Sequence, residues 1–144
     1  MTTTWGKAVS TTVNNWVRSL NLSGHLADVV ATARKFIGAP YVLGGSSRRG
    51  IDCSGLVKQA YAAIGVTLPH KAQEIRKLGV EVPLNALQAG DVLYIITGTS
   101  TEHVGIYDGK GSVIHSTSVY GKAVSEPVSN WVTKGWLDGA RRIV

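Results

Sequence analysis

Near residue 80 the spacing of apolar residues changes from helical to alternating, and that switch restricts the chain to helices first and an antiparallel sheet after. Before it, Trp5, Val9, Val13, Trp16 and Leu20 recur at spacings of three and four. After a break at Asn21 to Gly24, the pattern resumes with Leu26, Val29, Val30, Ala33 and Ile37, stopped by Gly38-Ala39-Pro40. A third stripe holds Leu56, Val57, Ala60, Tyr61 and Ile64, with Asp52 in the N-cap position and Gly65 as the stop. A short fourth helix fits residues 70–78. Beyond residue 80, Asp91 to Thr97 contains the buried-strand run Val-Leu-Tyr-Ile-Ile, and residues 103–107 and 112–118 alternate. Weaker strands are expected at 122–128 and 139–144, with glycine-containing turns between them. The expected fold class is α+β, with the strands in an antiparallel meander. Residues 1–22 read as an amphipathic arm and 23–144 as one domain. The arm's β-branched residues make it a weak helix. Its stripe suits packing on the domain, with docking as the alternative.

A chain of 144 residues can bury a core without staples. Its single cysteine excludes an intramolecular disulfide and a cysteine-only zinc site. The net charge of +6 is spread along the chain. It is met either by a solvated surface or by an anionic target such as wall polymer, nucleic acid or acidic lipid. No nucleic-acid motif accompanies the charge, so no nucleic-acid partner is expected. No apolar run is long enough to span a bilayer. The first residues, Met1 to Lys7, lack a basic start followed by an apolar run and do not read as a secretory signal. Delivery by lysis, by a virion or by a dedicated secretion machine, or prior removal of a leader, would then be required for work outside the cell.

The chemistry concentrates on Cys53, His103 and His115. Cys53 follows the cap Asp52 at the first turn of a helix, where free N–H groups and partial positive charge favour thiolate. Its pKa is therefore expected to fall, and its backbone N–H is positioned to hold an oxyanion. The same wheel position aligns it with Leu56, Val57 and Ala60, which leaves a packing role open. His25 and His70 read as exposed or capping. His103 opens one strand and His115 lies within the next, six residues either side of a turn centred near 109, so they are expected to be cross-strand neighbours. One imidazole would then orient the other as a base. The competing use is a zinc ion held by Cys53, His103 and His115.

These segments also match a family. Asp52-Cys53-Ser54-Gly55-Leu56-Val57 resembles the nucleophile motif of NlpC/P60 cysteine peptidases, and His103-Val104-Gly105-Ile106-Tyr107 their base motif. Pro40-Tyr41-Val42-Leu43-Gly44-Gly45 is similar to an upstream loop of the family, and Ala89-Gly90-Asp91-Val92 to a strand start. The matches run in order over roughly residues 25–143. The resemblance implies a papain-like fold in which a nucleophile helix packs on an antiparallel sheet, with no metal and no cofactor. It implies hydrolysis of peptidoglycan stem peptides, commonly beside D-glutamate and a diamino acid. By it, Cys53 is the nucleophile, His103 the base and His115 its orienting partner, while Tyr41, Asp52 and Ser54 contact substrate. Leu43 stands where the family often has Trp, and the basic run Arg48 to Gly50 suits a carboxylate-rich substrate. No wall-anchoring repeat accompanies the domain, so binding would come from the catalytic domain, the N-terminal arm or a carrier, with a carrier or delivery machinery as the partner to look for. Two other readings stay open: an amidase, acyltransferase or toxin of the same core acting on a non-wall amide or thioester, and a non-catalytic binding module.

Overall fold

The computed structural model describes residues 25–96 and 102–144. The amphipathic arm and most of the loop before His103 lie outside the described residues.

The first helix, α1 (Leu26–Lys35), has Asp28 in its first turn and Arg34 and Lys35 in its last, matching the helix dipole at both ends. It buries Val29, Val30 and Ala33. Ile37, expected on the same face, lies beyond the helix end and is partly exposed. After the loop that begins at Pro40, β1 (Ser46–Ser47) and β2 (Gly50–Ile51) form a small hairpin. It leads directly into α2 (Cys53–Ala62), whose cap is the expected one. Asp52 is extended, and its carboxylate accepts from the Gly55 N–H at 2.8 Å. Helix α3 (Ala72–Ile75) is a single turn.

The six-stranded antiparallel sheet contains β3 (Val80–Glu81), β4 (Val92–Ile96), β5 (Glu102–Tyr107), β6 (Ser112–Thr117), β7 (Lys122–Pro127) and β8 (Leu137–Arg142), in the order β3-β8-β4-β5-β6-β7. The run β4 to β7 is the expected meander. The last strand departs from it: a short helix, α4 (Val128–Thr133), carries the chain back so that β8 pairs with β4 on one side and β3 on the other. β4 is thus interior to the sheet, and its unbroken apolar sequence reflects cover on both faces: Val92 and Tyr94 enter one core cluster, Leu93 and Ile95 the other.

The pleat sends alternate residues into two clusters. Val104, Ile106 and Ile114 join Leu56, Val57, Ala60 and Tyr61 beneath α1 and α2. Val113, Leu93, Ile95 and Ala140 pack with Trp131 of α4 on the opposite face. Burying each large side chain in these clusters contributes roughly 1.5–3 kcal/mol.

The Ala89-to-Val92 segment is structural. Asp91 is buried and accepts from Arg142 Nε and Nη2, both at 2.9 Å, and from the Gln88 N–H at 2.8 Å. Tyr61 donates its hydroxyl to the Gly90 carbonyl at 2.5 Å. These bonds tie β8, β4 and α2 together. A second constraint sits at the start of α2, where a Cβ on Gly55 would collide with the Gly45 carbonyl oxygen. Gly55→Ala is expected to cost roughly 1–3 kcal/mol by overpacking, read as a lowered midpoint in denaturant unfolding. An unchanged midpoint would show that the loop yields freely.

Candidate active site

Cys53 and the two histidines approach each other from opposite faces of the sheet. Cys53 is the first residue of α2 and packs against the cluster below the helices. His103 and His115 share the pleat face of Val113 and contact Trp131. The meeting point is where the β5–β6 ladder stops. Pairing runs Tyr107↔Val113 and Ile106↔Ile114 and goes no further. Val104, the next residue whose N–H would face β6, lies beside Cys53 instead, where its N–H favours the thiolate. The sulfur is therefore held one residue from His103.

The expected lowering of the Cys53 pKa is not what the surroundings produce. Burial pushes the thiol up, and the Asp52 carboxylate adds to that. The N–H groups of Val104, Ser54 and Cys53 itself pull the other way without outweighing them. A helix terminus is visible in the sequence, whereas the burial that outweighs it is not.

The histidine pairing is also offset from expectation. The observed register centres the turn on Lys110, so His115 stands opposite Gly105 and His103 is its diagonal neighbour. The contact is nevertheless made: His103 Nε2 and His115 Nδ1 are 2.7 Å apart, with the rings at 81°. Gly105 permits this, because a Cβ there would press on His115 Cβ at 3.0 Å and on Val113 Cγ2 at 2.6 Å. Burial, then the neighbouring His115, lowers the His103 pKa to about 3. Burial also lowers that of His115, against the pull of Glu126. Both rings are neutral near pH 7.

Glu126 is the residue that sequence reasoning missed. It is buried on β7, and its Oε1 lies 2.6 Å from His115 Nε2. Trp131 Nε1 donates to the same oxygen at 3.1 Å. Its Oε2 accepts from Tyr120 at 3.0 Å and Asn130 at 3.1 Å. Burial alone would raise the carboxyl pKa, but Asn130, Tyr120 and His115 together hold it below the usual range. The available signal was a glutamate in an otherwise weak strand, followed by Trp131 five residues on.

The carboxylate of Asp52 is similarly saturated. Besides Gly55, it accepts from the Gly44 N–H at 2.7 Å and Ser54 Oγ at 3.3 Å, and it lies 2.8 Å from His70 Nε2. Burial raises its pKa, but His70 and the two backbone N–H groups outweigh that and keep it low. His70 is thus not a bystander but a partner of the residue preceding Cys53. His25 is exposed, 3.4 Å from Asp28. Ser54 is buried with its hydroxyl turned to Asp52. Tyr41 is half-exposed; burial raises its pKa, followed by the charges of Cys53 and Asp52. Asp52 also acts electrostatically on Cys53 and His103, so the six residues singled out from sequence gather in one region. The zinc arrangement loses a ligand here, since both ring nitrogens of His115 are already engaged, by His103 and Glu126.

Known proteins share this arrangement of elements. The sequence profile of the NlpC/P60 family matches residues 38–142. A probable endopeptidase of Mycobacterium tuberculosis is 45% identical over 101 residues, covering 70% of this chain and 26% of the relative. The gamma-D-glutamyl-L-lysine dipeptidyl-peptidase of Bacillus subtilis is 36% identical over 104 residues, covering 70% of this chain and 35% of that protein. The murein DD-endopeptidase MepS/murein LD-carboxypeptidase of Escherichia coli is 31% identical over 131 residues, with coverages of 90% and 68%. This chain spans only about a quarter to a third of the first two relatives. Among solved structures, the peptidoglycan hydrolase RipB of Mycobacterium tuberculosis superposes with a TM-score of 0.77 at 26% identity, over 96% of this chain and 74% of that one. With a family profile that covers most of its length and relatives this similar, the chain belongs to the NlpC/P60 family.

Proposed function

We propose that this domain is a cysteine endopeptidase that hydrolyses peptide bonds in the stem peptides of bacterial peptidoglycan, with Cys53, His103 and His115 as its catalytic residues. The observation that carries the reading is a cysteine at the start of α2, beside the β5 backbone whose Val104 N–H favours its thiolate, next to a histidine held 2.7 Å from a second histidine. As Sγ attacks the scissile carbonyl carbon, the thiol proton passes to His103, which is neutral and able to accept it. The Cys53 N–H, at the helix start, faces the developing oxyanion. His103 then gives its proton to the departing amine, leaving a thioester. A water molecule, deprotonated by His103, cleaves the thioester and restores the thiol. Tyr41, Asp52 and Ser54 border the site and are assigned to substrate binding. For Asp52 and Ser54, whose side chains are bound to each other and to the loop, shaping the pocket wall is part of that role.

The bond assigned is the one between D-glutamate and the diamino acid. The Bacillus subtilis relative, a gamma-D-glutamyl-L-lysine dipeptidyl-peptidase, supports this, whereas the Escherichia coli relative is named for DD- and LD-cleavage. The site of action is the wall or periplasm. Among the described residues no helix is long and apolar enough to cross a membrane.

Purified diaminopimelate-containing peptidoglycan, digested with the reduced protein and analysed by mass spectrometry, tests both parts. Release of fragments cut after D-glutamate is expected. Cleavage elsewhere in the stem would overturn the bond assignment. An intact wall, with turnover of a different amide or thioester, would overturn the substrate.

A further inference from the structure

Buried carboxylates that accept four hydrogen bonds are uncommon, and Glu126 lies outside every motif that marks the site. Each of its neighbours is a donor: Trp131 Nε1–H, Tyr120 O–H, Asn130 Nδ2–H and the facing nitrogen of His115. A carboxylate offers only acceptors. His115 must therefore carry its proton on Nε2, the atom 2.6 Å from Glu126. A neutral imidazole has one N–H, so His115 Nδ1 is a bare lone pair. His103 Nε2, 2.7 Å from that lone pair, must then carry the proton of its own ring. The consequence runs to the far side of His103, where Nδ1 is left as the single basic nitrogen.

We infer that Glu126 is a positioning residue: through His115 it fixes the tautomer of His103, so that Nδ1 and not Nε2 of His103 receives the Cys53 proton. This rests on the catalytic reading above for its use, although the tautomer chain follows from hydrogen bonding alone. When His103 becomes an imidazolium, the negative charge of Glu126 stabilises it through the intervening ring. Glu126 already favours the charged forms of both histidines. Trp131 completes the mount, since it stands edge-on to both rings while donating to the same carboxylate.

The test is an imidazole nitrogen-15 NMR measurement on the full chain near pH 7, which needs no substrate. The wild type is expected to show protonated Nε2 and bare Nδ1 on both His103 and His115. A protonated Nδ1 on His103 would overturn the inference outright. Two variants separate tautomer from charge. Glu126→Gln still offers an amide oxygen to His115 but no charge; it is expected to keep the tautomers and to lower kcat about tenfold with KM within about twofold. Glu126→Ala removes the acceptor. Mixed tautomers are expected on both rings, with an iodoacetamide reaction at Cys53 slowed by a similar factor. If Glu126→Ala does not fold, the wild-type spectrum and Glu126→Gln still decide. Wild-type tautomers in both variants with unchanged rates would show Glu126 to be mere packing. Expected tautomers in a protein that leaves wall intact would instead count against the substrate reading alone.

Discussion

Cys53→Ala lowers kcat/KM for peptidoglycan cleavage by about 10⁴-fold or more and leaves the fold in place. The size follows from covalent catalysis: without the sulfur no thioester forms, and only binding and the oxyanion N–H groups remain. The stability change should be about 1 kcal/mol or less, because Cys53 is only partly buried and alanine keeps the helix start. The measurements are fragment release from purified wall and thermal unfolding of the same preparation. Retention of more than a few per cent of activity by a folded Cys53→Ala protein would remove covalent catalysis from this site.

His103→Ala is expected to lower kcat by about 10²–10⁴-fold, the usual span for a lost general acid and base. Burial raises the Cys53 pKa and lowers that of His103 to about 3. At rest the pair is thus thiol and neutral imidazole, not thiolate and imidazolium. Activity requires His103 unprotonated, so the acid limb of kcat/KM lies below the ordinary imidazole value of 6.5. The rate should stay level from pH 7 down to about 5. The alkylation rate of Cys53, which follows its thiolate, should still be climbing at the ordinary thiol value of 9.0. An alkylation rate that levels off below neutrality would mean that the N–H groups around the sulfur outweigh its burial.

Local features of the site were legible because they depend on near neighbours. A cap at Asp52, a helix beginning at Cys53 and a glycine stop at Gly65 are all decided within a few residues, and each is present. The two histidines were legible as a pair because a single turn links them. The one-residue error in its centre arose because Asp108 accepts from both the Lys110 and Ser112 N–H groups, which shifts the tight part of the turn past Gly109. Glu126, Trp131 and His70 were not legible. Each reaches the site from an element whose position depends on sheet order, and sheet order depends on pairings between residues far apart in sequence. The same cause hid the pKa direction at Cys53: a helix terminus is visible in a sequence, whereas the β5 backbone that closes over it is not. The place of β8 was lost for the same reason, since nothing in Leu137 to Arg142 says which strand it will join.

That last strand has a consequence for how the chain is made. Strand β4 is paired on one side by β5, which follows it almost at once, and on the other by β8, more than forty residues later. On the ribosome, the Val92-to-Ile96 run therefore emerges with one hydrogen-bonding edge unsatisfied and apolar. It stays so until residue 142 has cleared the exit tunnel, several seconds later at about 5–20 residues per second. During that interval the domain presents an open apolar edge of the kind chaperones bind and aggregates grow from. Nascent chains stalled before residue 137 should remain protease-sensitive throughout, and the catalytic face should become ordered in a single late step.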